Sequence, residues 1–433
     1  MKKFFNVFLF FYAMTFSFSQ DFVKVEGTNF KLKNKSYSFI GTNFWYGFNL
    51  GSLGEGGDRS RLIKELDSLQ SIGVNNLRIM AASEGPDDAP WRMSPTLQKS
   101  PGVYNEELLD GLDFLIAEMG KRNMFAVVCL NNFWHWSGGM SQYVSWANNN
   151  RNIPYPPPQE GGDWGTYMKF TSQFYSDDKA IALFNNHVRF ILNRENPYTN
   201  LRYNQDPTIM SWELGNEPYA MSIPEVYKEW INTTAKLIKG LAPSQLVTIG
   251  GEGNTNNSNF TNNNLLLDGN SDYIDYLTIH IWIQNWDWYN PQEPKETFSK
   301  ALKKAKKYIK EHSKIAKKLN KPLVLEEFGI ARDNNNYDPS ASIIYRDLYY
   351  KKIFEIVLRS IKRGTPLKGA NFWAWGGFGR PDVPKAFWKI NDDFIGDPPH
   401  EAQGWYSVYD KDISTLQIIK LYNELIMFEL EEK

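Results

Sequence analysis

Apolar runs of strand length, recurring between segments of helical spacing, constrain this chain more than any other feature. Eight can be read in order, over 38–43, 74–80, 125–130, 208–214, 246–250, 276–280, 323–326 and 367–373. Helical spacing runs through Arg61–Ile72, with Leu62, Leu66 and Leu69 on one side, then 105–122, 178–192, 224–241, 296–318, 341–363 and 413–430. Strands that are apolar throughout and separated by helices are parallel and covered on both faces, so the pattern predicts an α/β fold. Eight such units predict a (β/α)8 TIM barrel with enlarged loops at the C-terminal ends of its strands. A doubly wound open sheet is the other fold with this alternation, but no Gly-rich phosphate fingerprint follows any strand.

Ahead of the first barrel strand, residues 20–37 alternate apolar and polar positions around two turns, which predicts hairpins covering one end of the domain. Met1-Lys2-Lys3 followed by a Phe-rich run to Phe18 has the form of a secretory signal peptide, too short for a membrane span. The expected organisation is a leader over 1–19 and one catalytic domain over 20–433, exported to the medium, periplasm or cell surface.

Two strand tips carry carboxylates. Pro207-Thr208-Ile209-Met210-Ser211-Trp212-Glu213-Leu214 ends in Gly215-Asn216-Glu217-Pro218, and Leu323-Val324-Leu325-Glu326-Glu327 ends in Phe328-Gly329. Two glutamates presented at strand ends are what glycosidic-bond hydrolysis requires, one to protonate the leaving oxygen and one to attack or to activate water. Glu326 is a rival to Glu327, but strand alternation points the two to opposite sides. Glu213 reads as a buried structural carboxylate. Aromatic residues, 15% of the chain with 15 Trp, cluster after strand ends at Trp45, Trp134, Trp136, Trp282, Trp286, Trp288, Trp373 and Trp375, where they can cover sugar faces. Trp230, in a helical pattern, reads as core. The lone Cys129 lies in an apolar strand and reads as a buried thiol. A net charge of −1 gives no electrostatic case for nucleic acid or an acidic membrane surface, and the lysines of 296–318 read as a solvated face. Five scattered His residues show no paired ligand spacing, and Asp392-Asp393 reads as solvated, so no metal or cofactor is expected.

Trp212-Glu213-Leu214-Gly215-Asn216-Glu217-Pro218 with Glu327-Phe328-Gly329 resembles glycoside hydrolase family five, a retaining group built on this barrel, from about Phe39 to the C-terminus. Leu77-Arg78-Ile79, Thr278-Ile279-His280 and Asn371-Phe372-Trp373-Ala374-Trp375-Gly376 extend the likeness. The resemblance implies that Glu217 is the acid/base, Glu327 the nucleophile and Asn216 a contact to the sugar 2-hydroxyl. Arg78 then steadies the nucleophile, His280 lines the pocket, and Trp373 lies under the sugar being cleaved. Two residues after His280 many members carry Tyr, whereas this chain has Trp282, which can only donate. Trp282 is therefore either the group that orients Glu327 or a sugar platform.

Asn131-Asn132-Phe133-Trp134, Ser137-Gly138-Gly139, Gln284-Asn285-Trp286, Gly396-Asp397-Pro398-Pro399 and Gln403-Gly404-Trp405 are similar to the endo-1,4-β-mannanase branch. That likeness implies endo-cleavage of mannan, glucomannan or galactomannan by a monomer, with Trp134 among the substrate contacts. A cellulase or other β-1,4-glucanase is the alternative substrate reading, and a non-catalytic glycan-binding barrel the alternative class.

Overall fold

The computed structural model describes residues 21–255 and 258–432. The expected leader lies outside them. Eight parallel strands follow one another around a barrel: β1 (Phe39–Asn43), β2 (Asn76–Met80), β3 (Phe125–Cys129), β4 (Ile209–Glu213), β5 (Leu246–Thr248), β6 (Leu277–Ile281), β7 (Leu323–Phe328) and β8 (Leu367–Phe372). Sheet order is sequence order, with β8 pairing back onto β1. Between β5 and β6 the ladder is replaced by separate bonds. Asp275 N donates to Val247 O at 2.8 Å, Val247 N to the Asp275 carboxylate at 2.7 Å, and the Thr248 hydroxyl to Tyr276 O at 3.0 Å.

The seven expected helices form, with end signals that explain their limits, and a single turn that the sequence did not suggest, α5, joins them. In order they are α1 (Arg59–Ser71), α2 (Glu106–Lys121), α3 (Asp178–Asn193), α4 (Pro224–Leu241), α5 (Leu265–Asp268), α6 (Pro294–Leu319), α7 (Ile344–Lys362) and α8 (Ile413–Glu431). Asn105 caps α2 by accepting from Glu107 N and Leu108 N, and Asp177 caps α3 in the same way. Proline opens α4 and α6 at the position where its missing N–H has no partner to lose. Asn320, left-handed at φ 55°, ends α6.

Trp230 and Cys129 are core residues as expected; burial holds the Cys129 thiol well above its usual pKa, and it donates to Asn131 O. The N-terminal hairpins, Lys24–Glu26, Asn29–Leu32 and Lys35–Tyr37, close the end of the barrel opposite the strand tips. There Val23, Phe30, Tyr37 and Phe39 pack on Phe125, Tyr276 and Val324. The loop after β3 holds two short helices, Gly139–Ala147 and Trp164–Thr171, that the aromatic and Pro-rich sequence did not suggest. No described helix is long and apolar enough to cross a membrane.

Candidate active site

Glu217 is delivered by the turn that ends β4. It is left-handed at φ 49°, a conformation that costs a non-glycine residue on the order of 1–3 kcal/mol. Backbone bonds impose it: Glu217 N donates to Gly250 O and Asn216 N to Asn131 O, both at 2.9 Å. Gly250 must be glycine, since at φ 84° a Cβ would sit 2.2 Å from Gly215 O.

Glu327 reaches the same place from β7 through a bulge. Ile279 pairs with Leu325 and His280 with Glu327, which leaves Glu326 as the extra residue. The expectation that alternation separates Glu326 from Glu327 is therefore corrected. Both carboxylates approach the same cations, with Glu326 Oε2 lying 3.8 Å from Arg78 Nε and 3.5 Å from His280 Nε2. Glu327 lines the cavity at the barrel mouth, whereas Glu326 is not among its lining residues and its Oε2 has no hydrogen-bond partner among the described residues.

Arg78, from β2, spends all five of its N–H donors here. Nε and Nη2 grip Glu213 at 2.8 and 2.5 Å, Nη2 also reaches Asn216 Oδ1 at 2.8 Å, and Nη1 bonds Asn43 Oδ1 at 3.1 Å and Glu327. Glu213 is thus structural, and what it holds is the guanidinium that faces Glu327.

His280 stands between the two glutamates. Its Nδ1 lies 2.6 Å from Glu217 Oε1 and 3.4 Å from Glu327 Oε2. A carboxylate oxygen of each glutamate and a ring nitrogen of His280 all lie within 4.8 Å of one another. The Trp134 indole donates to the other Glu217 oxygen at 2.6 Å, and Trp282 donates to Glu217 Oε1 at 3.4 Å. Trp282 therefore points to Glu217 and not to Glu327, while also standing edge-on to Trp373 in the cavity wall.

Burial would lower the pKa of His280, but the charge of Glu327, the hydrogen bond to Glu217 and the nearby Glu326 carboxylate outweigh it, so the imidazolium is strongly favoured. Burial likewise pushes Glu217 up, but His280, Trp134 and Arg78 together hold it below the usual carboxylate value. Burial carries Glu327 up to about 7 against the pull of His280 and Arg78. The proton thus rests on His280, one short hydrogen bond from Glu217.

The cavity, of about 500 Å³, contains six of the eight residues read from sequence: Trp134, Asn216, Glu217, Trp282, Glu327 and Trp373. Arg78 and His280 sit directly behind them. Sequence reasoning missed two further carboxyls. Glu252 follows the β5 strand as Ile249-Gly250-Gly251-Glu252, the same apolar-run-then-carboxylate signal as the other two; it accepts a hydrogen bond from Tyr219, and burial holds it protonated far above its usual range. Glu401 had no such signal. It is carried by a late loop whose shape rests on Asp397, which accepts from Gly404 N, Tyr406 N and the Ser407 hydroxyl at 2.5–2.9 Å.

That loop also covers one side of the mouth. Trp45 Nε1, after β1, donates to Gly396 O at 2.9 Å. Phe387 packs on Trp91 from the loop after β2, and His400 on His135 and Trp164 from the loop after β3, with ring centroids 5.0–6.4 Å apart.

Paired carboxyls at the tips of β4 and β7, in a cavity walled by indoles, place the protein among the barrel glycoside hydrolases. The chain belongs to glycoside hydrolase family 5: residues 20–431 match the model described as GH family 5 beta-mannosidase-like. It is 30% identical over 370 residues to mannan endo-1,4-beta-mannosidase 4 of Solanum lycopersicum, covering 82% of this chain and 83% of the relative. It is 29% identical over 404 residues to mannan endo-1,4-beta-mannosidase 5 of Arabidopsis thaliana, covering 89% and 84%. The crystal structure of a family 5 mannosidase from Rhizomucor miehei is similar at 38% identity, with a TM-score of 0.88 and coverage of 95% of this chain and 99% of that one.

Proposed function

We propose that this glycoside hydrolase cleaves β-1,4-linked mannan with net retention of anomeric configuration. The observation that carries the reading is the approach of Glu217, His280 and Glu327 to within 4.8 Å. Retaining glycosidases hold their carboxyl groups about 5–5.5 Å apart, and inverting ones leave room for a water at about 6.5–9.5 Å.

In this reading Glu327, with Arg78 beside it, attacks the anomeric carbon of a sugar seated on Trp373. Glu217 protonates the departing oxygen, taking its proton across the 2.6 Å contact with His280, so the imidazole becomes neutral as the bond breaks. Glu217 then removes a proton from the water that hydrolyses the glycosyl ester. Asn216 has its carbonyl oxygen committed to Arg78 and one amide hydrogen to Asn132, which leaves one hydrogen for the sugar 2-hydroxyl. The chemistry is carried by these side chains, with export following from the leader-like residues 1–19.

Cleavage within the chain is the mode expected from sequence, and the plant relatives named endo-mannosidases support it. A second reading, removal of short products from a chain end, is favoured by the late loop's contacts across the β1–β3 side of the mouth and by the likeness to the fungal mannosidase. Product profiles on mannan, glucomannan and cellulose decide. Early oligosaccharides of mixed length with a rapid fall in viscosity mark internal cleavage, whereas mannose or one short oligosaccharide from the outset marks end-wise attack. Faster cleavage of cellulose than of mannan would overturn the substrate class.

A further inference from the structure

We propose that the basic groove between α6 and α7 is a docking surface for an anionic phospholipid membrane. The groove, of about 460 Å³, opens beside Pro366 and Leu367 at the start of β8, so it lies toward the end of the barrel opposite the catalytic cavity. Lys306, Lys310, Lys314 and Lys317 form one stripe along α6, and Arg359 and Arg363 face them from the end of α7. All six are exposed, no acidic side chain lines the groove, and none of the six has an ion-pair partner among the described residues. Helix α6 as a whole carries ten lysines against two glutamates, in a chain whose net charge is −1. This helix therefore carries a local excess of positive charge.

Successive lysines four apart stand about 5–6 Å from one another, inside the Debye length of about 8 Å at physiological salt. They therefore act on a nearby anionic surface together. Ile309, Pro366 and Leu367 lie almost wholly buried at the base of the groove, so what it offers a partner is charge. The groove and the apolar cluster around Val23 and Phe30 both lie toward the end of the barrel opposite the cavity. Docking through this end leaves the cavity facing away from the membrane, toward polymeric substrate.

The test is co-sedimentation of the purified protein with vesicles of phosphatidylcholine alone and with one third phosphatidylglycerol, at low and high salt. Each cation near such a surface contributes roughly a factor of five. Replacing Lys306, Lys310, Lys314 and Lys317 by Gln is therefore expected to weaken partitioning onto phosphatidylglycerol vesicles at least about a hundredfold, with hydrolysis of soluble substrate and the melting temperature unchanged. Exposed lysines elsewhere, Lys64, Lys169, Lys179 and Lys420, provide the control for net charge, and their joint replacement by Gln should weaken binding far less. Failure of the unaltered protein to bind phosphatidylglycerol vesicles at low salt overturns the proposal. So does equal loss in both quadruple variants, or tighter binding to a soluble acidic polysaccharide than to the vesicles.

Discussion

Glu327 titrates near neutrality because it is buried, and the two cations beside it keep it from rising further. A nucleophile works only when ionised, so kcat/KM should fall as pH drops through the pKa of this carboxyl, above the ordinary Glu value of 4.5 and toward about 7. His280 lowers that pKa, so His280→Gln removes a cation and should move the acidic limb to higher pH while cutting kcat. A pH profile of the variant whose acidic limb stays in place or moves down would contradict the role given to His280. Much of this constellation was legible, because Asn216, Glu217, His280, Glu327 and Trp373 each stand at or just past the end of an apolar run, and Arg78 is a lone cation inside another. Glu213 was read as structural, but the partner it holds was not legible. Its grip on Arg78 joins β4 to β2, a contact over 135 positions that no local pattern encodes. The placement of Glu326 was misread for a related reason, since a bulge breaks the period-two rule at the residue where it was applied.

Helix and strand limits followed closely from spacing and caps, as at α4, whose observed Pro224–Leu241 matches the expected range. The loops did not, since they take their form from distant partners. Asp412 is the clearest case among them. It accepts from Arg332 after β7 at 2.8 and 2.9 Å, from Arg346 of α7 at 3.2 Å and from Tyr409 N at 2.9 Å, and so ties the start of α8 to the barrel. All three side chains of this triad are buried. Removing one member of a buried ion pair leaves uncompensated charge and typically costs about 3–5 kcal/mol. Asp412→Ala should therefore lose stability of about that size in denaturant unfolding, with the substrate profile of the remaining folded enzyme unchanged. A loss below about 1 kcal/mol would show that water reaches the two guanidinium groups.

The barrel separates its tasks by end. Hairpins and the basic groove lie toward the N-terminal ends of the strands, and the cavity lies at the C-terminal ends, where loops of very different length converge on one site. The placing of the hairpins and the catalytic site was readable from the order of the strands, whereas the groove, whose lysines read as a solvated face, and the convergence of the loops after β2, β3 and β8 were not, the latter because it depends on contacts such as Phe387 with Trp91. The central claim is that strands β4 and β7 bring an acid/base and a nucleophile to the same bond. An aryl β-mannoside with a good leaving group needs little protonation, so Glu217→Ala should still form the glycosyl-enzyme and then stall, while losing about 10²–10⁴ in rate on mannan. Azide needs no general base and should restore its turnover as a β-configured glycosyl azide. Glu327→Ala has no group with which to form the covalent intermediate and should stay inactive on both substrates, with no β-azide formed. Assaying both variants with and without azide therefore tests the claim most directly: rescue to the β-azide in Glu217→Ala alone is the predicted result, and the same rescue in Glu327→Ala alone would contradict it by reversing the two roles.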